Sequence, residues 1–282
     1  MSNVTMSSSP SIEALLAQAS TVDKPTRKRL LAHYLTVSHS YLIAHGNTCV
    51  PPSVVEQYNH GLQQLAAGRP LAYVIGQQGF WKHEFLVDQS TLIPRPDTEI
   101  LVETVLQLTK NSLSKPKKIL DLGTGSGCIA ISLAAELAKS HITAVDISLQ
   151  ALQIAMQNAN RVGVTNLDFL QGHWYQPIKT ECQFDMIVSN PPYIDPQDSH
   201  LAALSDEPIT ALIADEQGLA DLRHIIAQAP NYLKGAGTLV LEHGYDQAQS
   251  VRQMLAIHGF LDINTVRDYG GNERVTYGQR SN

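Results

Sequence analysis

From Lys118 onward, short apolar runs alternate with longer stretches of helical periodicity: KKILDLG, CIAISLAAELA, HITAVD, SLQALQIAMQNANRVG, LDFLQG, FDMIVSN, LADLRHIIAQAPNYL, GTLVLEHG and DQAQSVRQMLAIHG. Runs that short, with no polar alternation, are strands buried on both faces. Their alternation with helices dictates parallel pairing through right-handed crossovers. The chain therefore has to build a doubly wound α/β sheet, a Rossmann-like fold, and ligands of such sheets sit outside the carboxyl ends of the strands. LDINTVRD and ERVTYGQ close the pattern as two further strands.

The first 70 residues carry a different period. Ser11 to Ala19, Thr26 to Ala44 after Pro25, and Ser53 to Ala67 after Pro51-Pro52 read as short helices opened by capping or proline residues. Leu30, Leu31, Tyr34, Leu35, Tyr41 and Leu42 recur at helical spacing, as a small bundle core or a partner-binding face requires. Between Leu71 and Ile93, apolar runs broken by Gly76, Gly79 and Asp88 suggest a hairpin-like linker. Pro96, Asp97 and Glu99 then mark a helix start, with acids where the macrodipole favours them, and the helix runs to about Leu108. The expected organisation is a helical domain over 1–72, a linker over 73–93 and an α/β domain over 94–282.

Composition narrows the function. Of 282 residues, 43% are hydrophobic and 16% charged, enough to bury a core. The net charge is −6, distributed as +2 over residues 1–78 and −8 over the rest, so the α/β part lacks the basic track that phosphate backbones need. No direct nucleic-acid partner is expected. Cys49, Cys128 and Cys182 are far apart, which argues against a disulfide framework or a zinc site and for a reducing, cytoplasmic setting. The opening MSNVTMSSSP lacks a signal-peptide pattern, and the uncharged stretch from Leu30 to Val55 is too broken to span a membrane. No H-E-x-x-H or G-x-S-x-G occurs, and no metal is expected.

Two junctions carry chemistry. At the end of the first parallel strand stands Asp121-Leu-Gly123-Thr124-Gly125-Ser126-Gly127, where glycines let the backbone turn tightly and approach a ligand. The G-x-G-x-G spacing is neither a dinucleotide nor a P-loop fingerprint, so a phosphate-free nucleoside fits better. Asp146, 19 residues after Gly127, ends the second strand, where a carboxylate either bonds both ribose hydroxyls or caps the next helix. Trp174, after the third strand, either covers an adenine face or packs. The fourth strand ends in Asn190-Pro191-Pro192-Tyr193, a rigid turn presenting an amide, a backbone carbonyl and an aromatic ring. A planar amide or aromatic amine has a delocalised nitrogen lone pair. Acceptors at Asn190 and Pro191 would bind its two N–H groups and free that pair for attack, while Tyr193 stacks on the flat group.

With these motifs the chain resembles S-adenosylmethionine-dependent methyltransferases, and within them the HemK/PrmC family of protein-glutamine methyltransferases. The likeness runs through IPRPDTEILVE, DLGTGSG, VDIS and SNPPYI, and less specifically through DEPITALIADEQGL, LVLEHG and RDYGGNERV, with an N-terminal helical bundle before them. It implies methylation of the side-chain amide nitrogen of the Gly-Gly-Gln glutamine in class I peptide chain release factors, with S-adenosylhomocysteine as product. It further implies cofactor contacts from Gly123, Thr124, Gly125, Ser126, Gly127, Asp146, Trp174 and Asn190. Substrate contacts would come from Asn190, Pro191, Pro192 and Tyr193, with Asn190, Pro191 and Tyr193 carrying catalysis. The PRPDTE segment favours the release-factor branch over the ribosomal-protein branch, and Arg95, Asp97 and Glu99 are site candidates that capping explains equally well. Ile213-Ala214 stands where the family usually has a glycine pair, and His173 where it has a smaller polar or acidic residue. Rival readings are methylation of a ribosomal-protein glutamine or of an exocyclic base amine in nucleic acid, and a translation-factor- or ribosome-binding module with a vestigial cofactor fold.

Overall fold

In the computed structural model, residues 9–110 and 115–281 are described; the opening segment read for a signal peptide lies largely outside them. The chain forms two compact units, Met1–Gly76 and Gln77–Asn282.

The first unit contains α1 (Ile12–Ala17), α2 (Lys24–Leu35), α3 (His39–Ala44), α4 (Pro52–Ala66) and α5 (Leu71–Ile75) around Ile12, Leu15, Leu30, Leu31, Leu42 and Tyr58. Three of the five begin on a capping side chain, Ser11, Asp23 or Ser38, that accepts a backbone N–H from the first turn. The helix expected over Thr26 to Ala44 is two helices. Thr36 takes left-handed backbone with φ 56° and ends α2, and Ser38 caps a new start. Leu71–Ile75 is helical rather than extended, closed by Gly76 at φ 72°. The basic run Arg27-Lys28-Arg29 is not a uniform solvated face, because Arg27 is buried and donates to the Gln18 carbonyl at 2.6 Å.

The second unit opens with a hairpin of β1 (Gln77–Phe80) and β2 (His83–Leu86). It is not a free linker. The Leu86 N–H donates to Asn158 Oδ1 at 2.7 Å, Asn158 Nδ2 donates to the Leu86 carbonyl at 3.0 Å and to the Ser126 carbonyl at 2.9 Å, and Asn158 is wholly buried. The Trp81 N–H and indole N–H donate to Glu99 and Glu136. One buried amide thus ties the hairpin to the glycine-rich loop, satisfying three backbone groups at once.

A 3₁₀ turn at Pro96–Thr98 leads into α6 (Glu99–Thr109). There follow β3 (Lys118–Leu122), α7 (Cys128–Glu136), β4 (His141–Asp146), α8 (Leu149–Val162), β5 (Leu167–Gln171), β6 (Phe184–Ser189), α9 (Asp215–Gly218), α10 (Ala220–Tyr232), β7 (Leu233–Glu242), α11 (Ala248–Ile257), β8 (Phe260–Arg267) and β9 (Glu273–Arg280). The seven-stranded sheet has the order β5-β4-β3-β6-β7-β9-β8, parallel from β5 to β7, with β9 antiparallel to both β7 and β8. This is the Rossmann-like architecture the alternation demanded. The order reverses between β3 and β6, whose registers meet at Leu122 and Ser189, so the glycine-rich loop and the Asn-Pro-Pro-Tyr turn leave the sheet side by side. Among the described residues, no helix is long and apolar enough to cross a membrane.

Candidate active site

The loop after β3 turns through Gly123, Gly125 and Gly127 with φ of 74°, 56° and 82°, a left-handed path that side chains resist. At Gly127 a Cβ would come within 2.7 Å of the Ile131 side chain and 3.1 Å of Ala155, so this glycine lets α7 and α8 approach. Behind the loop, Thr124 donates to Asp121 Oδ2 at 2.6 Å. Asp121 is fully buried, its Oδ1 has no hydrogen-bond partner among the described residues, and burial pushes its carboxyl up to about 7.

Asp146 ends β4 beside this loop. Its Oδ2 accepts the Gly125 N–H at 2.7 Å and its Oδ1 the Ser148 N–H at 2.9 Å, which leaves each oxygen a second acceptor site. The α8 N-cap is Ser148, which accepts from the Ala151 N–H, so Asp146 does not fill the capping role. Burial raises the Asp146 pKa, opposed by the backbone N–H bonds. Trp174, at φ 49°, is buried against the Gly123 face and donates its indole N–H to Asp221 Oδ1 at 3.2 Å.

The second junction is braced from several sides. Ser189 Oγ donates to the Leu122 carbonyl at 2.7 Å, locking β6 to β3 where both strands end. Asn190 Nδ2 donates to Thr98 Oγ1 at 3.2 Å. Gln247 Nε2 donates to the Tyr193 carbonyl at 2.9 Å, and Gly218, at φ 80°, fits against that carbonyl so closely that a Cβ would stand 2.0 Å from the oxygen. The Tyr193 hydroxyl donates to Glu242 Oε1 at 3.4 Å. Burial, then the Glu242 charge, raises the Tyr193 pKa, so the phenol keeps its proton. Glu242 itself, buried at the end of β7, is pushed up to about 7 by desolvation.

Between the two junctions opens a cavity of about 400 Å³, walled by Gly123, Gly125, Asp146, Trp174, Asn190 and Asp221 among others. Of the residues singled out from sequence, Gly123, Gly125, Asp146, Trp174, Asn190 and Pro192 reach its wall; Thr124, Ser126, Gly127, Pro191 and Tyr193 do not line it, and Thr124 and Ser126 are buried. Arg95, Asp97 and Glu99 do not line it. Arg95 pairs with buried Glu207, Asp97 faces Arg274 at 3.5 Å, and Glu99 accepts the Trp81 N–H at 2.8 Å. Their neighbour Thr98 meets Asn190 instead. Ile213 and His173, the two departures noted above, both line the cavity. Sequence reading gave no site role to Asp221, Pro208 and Thr210, which line the cavity, or to Thr98 and Glu242, which bond Asn190 and Tyr193. All but Asp221 lie in segments that carry the resemblance, but only the fold brings them together.

The comparisons with known proteins identify the family. Residues 96–211 match the model of the methyltransferase small domain, and residues 11–76 that of the PrmC N-terminal domain. The chain is 41% identical to the release factor glutamine methyltransferase of Aliivibrio fischeri, over 95% of this chain and 94% of that one. It is 44% identical to the protein of that name from Vibrio cholerae (89% and 87% covered), and 42% to that from Escherichia coli (93% and 94%). The chain belongs to the release factor glutamine methyltransferase family. For this family member the fold has more distant likenesses. A Pyrococcus furiosus methyltransferase aligns at TM-score 0.52 and 16% identity over 70% of this chain and 89% of that one. The T. thermophilus 16S rRNA N2 G1207 methyltransferase, solved with AdoMet and guanosine, aligns at 0.52 and 16% over 72% and 49%.

S-adenosylmethionine, the donor implied by the resemblance, is an adenosyl group carrying a sulfonium cation, and the cavity fits it. A carboxylate with two open acceptor sites stands at one wall, a buried indole at another, and the unpartnered Asp121 Oδ1 lies under the glycine loop. Neutral and cationic groups are welcome there, whereas phosphates would meet Asp146 and Asp221.

Proposed function

We propose that this protein methylates the side-chain amide nitrogen of the Gly-Gly-Gln glutamine of class I peptide chain release factors. The observation that carries the reading is the tethering of Asn190. Its Nδ2 is engaged by Thr98, so its carbonyl oxygen is the group left to the cavity, next to a wall suited to an adenosyl group. Asp146 holds the ribose hydroxyls, the glycine loop lets the backbone approach, and Trp174 covers the adenine. S-adenosylmethionine supplies, when bound, a methyl group on positively charged sulfur, and S-adenosylhomocysteine remains afterwards.

Asn190 Oδ1 and the Pro191 carbonyl accept the two N–H groups of the glutamine amide. Held this way, the nitrogen lone pair turns out of conjugation with its own carbonyl. Positioning supplies most of the catalysis, and the methylated nitrogen sheds its proton to water. Tyr193, neutral and braced by Glu242, flanks the amide. The unit over residues 1–76 recognises the release factor, since a pocket for one side chain cannot tell one exposed glutamine from another; its positive balance suits an acidic partner.

Labelled methyl transfer, with a release factor, a ribosomal protein and ribosomal RNA offered in parallel, tests the reading. Incorporation into the release factor alone is expected. Incorporation into RNA would favour the exocyclic-amine reading, which the −8 balance of residues 79–282 opposes.

A further inference from the structure

Asp221 is the acid in the first turn of α10, where attraction to the helix macrodipole would ordinarily explain it. Its carboxylate is engaged elsewhere. Asp221 Oδ1 accepts the Trp174 indole N–H at 3.2 Å, while the opposite edge of the same ring faces Gly123, where a Cβ would stand 3.2 Å from Cζ3. The indole is thus held at both edges, on a residue whose backbone is left-handed at φ 49°. Asp221 also reaches the cavity wall. Among the described residues that line the cavity, the carboxylates are those of Asp146 and Asp221, and none is a lysine or an arginine; His173 adds an imidazole, with the His224 ring 5.9 Å from it. Burial raises the Asp221 pKa, and the indole bond and the two imidazoles lower it.

The two acids of the wall are not equivalent. Each Asp146 oxygen already takes a backbone N–H, from Gly125 or from Ser148, so that carboxylate also holds the loop. Asp221 makes one bond among the described residues, to the indole. Donor and product differ by one methyl group and one positive charge: S-adenosylmethionine carries a sulfonium that S-adenosylhomocysteine lacks, while the adenosine, the ammonium and the carboxylate are common to both. In a cavity of about 400 Å³, a cation anywhere inside lies within roughly a Debye length, about 8–10 Å, of the wall, and a half-buried carboxylate acts on it through less water than one at the surface. We infer that Asp221 is a specificity-determining residue that favours the cationic donor over the neutral product, with the Trp174 indole fixing its carboxylate at the wall. During transfer the acceptor lone pair forms the new N–C bond as the S–C bond breaks, and the electron pair of that bond stays on sulfur. The positive charge leaves the sulfur in the same step, so the product loses the attraction that helped to hold the donor. The inference rests on S-adenosylmethionine as the donor in the proposed function and is independent of which acceptor takes the methyl group.

The test is calorimetric titration of the full chain with S-adenosylmethionine and, separately, with S-adenosylhomocysteine, at about pH 8, where carboxylates are ionised and ordinary histidines neutral. Asp221→Asn keeps the shape and an oxygen for the indole N–H but removes the charge. It should raise the S-adenosylmethionine Kd about 5-fold and leave the S-adenosylhomocysteine Kd within about 2-fold. Asp221→Leu removes the partner of the indole as well and should weaken both ligands. In a Trp81→Phe background, where Trp174 is the one tryptophan left, Asp221→Leu should also change the Trp174 fluorescence emission, while Asp221→Asn should preserve it. An Asp221→Asn protein with the wild-type ratio of the two Kd values, whether both affinities hold or both fall, would overturn the inference; unchanged emission in Asp221→Leu would overturn the anchoring by the indole. A shifted ratio in a protein that methylates no release factor would leave Asp221 its role and remove the proposed substrate.

Discussion

The two junctions that meet at the β3/β6 switch point are built on opposite plans. The glycine-rich loop is held through its own peptide groups: its N–H groups bond the Val145 carbonyl and the Asp146 carboxylate, its Ser126 carbonyl accepts from Asn158, and space stays open beside Gly125. The Asn-Pro-Pro-Tyr turn is held by side chains from elsewhere, namely Thr98, Glu242 and Gln247, with Gly218 packed against its carbonyl. A cofactor surface that must fit closely and bind in every turnover can be made from peptide groups. An acceptor surface that must present one atom in one orientation needs partners with fixed hydrogen-bond polarity.

That contrast breaks first at the glycines. Gly218→Ala should cost roughly 3 kcal/mol or more in urea unfolding, since left-handed strain adds to a collision with the Tyr193 carbonyl. Gly125→Ala, with φ 56° but no atom within 4 Å of the new Cβ, should cost only about 1–2 kcal/mol. Similar losses would mean that the acceptor turn is no more tightly braced than the loop. Next in size, Asn190→Ala should lower turnover on the order of 10²-fold while calorimetric affinity for S-adenosylhomocysteine changes little. Asp146→Ala should do the reverse, weakening that affinity roughly 10-fold with turnover at saturating donor nearly kept, because a ribose bond persists from ground state to transition state. Variants that impair both quantities alike would erase the distinction between the two ends.

The remaining effect is on the pH dependence of stability. Glu242 and Asp121 are raised by burial from ordinary values of 4.5 and 3.8 to about 7. Between those limits the native state binds more protons than the unfolded chain, so stability should fall as pH rises from about 4 toward 7. Glu242→Gln should flatten part of that slope in denaturant titrations run at several pH values. An unchanged slope would remove Glu242 from the account.

Legibility followed the same division. DLGTGSG, Asp146 and the proline turn are local, and their chemistry could be read where they stand. The alternation after Lys118 determined the sheet, because strands buried on both faces admit few arrangements. Thr98 stands in a helix start and Glu242 at the tail of a strand, and only the fold brings them to Asn190 and Tyr193. The helix read across Thr36 failed because apolar spacing continues past a residue whose backbone turns left-handed. Leu71–Ile75 is an apolar run too short for periodicity to separate helix from strand. The wall formed around Pro208, Thr210 and Ile213 had no periodic signal at all.

The central claim is that the atom presented to Asn190 is the amide nitrogen of one glutamine. Tandem mass spectrometry of a class I release factor, after incubation with the protein and S-adenosylmethionine, tests it directly. A single methyl group is expected on the side-chain nitrogen of the Gly-Gly-Gln glutamine, absent when Asn190→Ala replaces the wild-type protein. A methyl group on any other residue, or the same modification at full rate by Asn190→Ala, would contradict it.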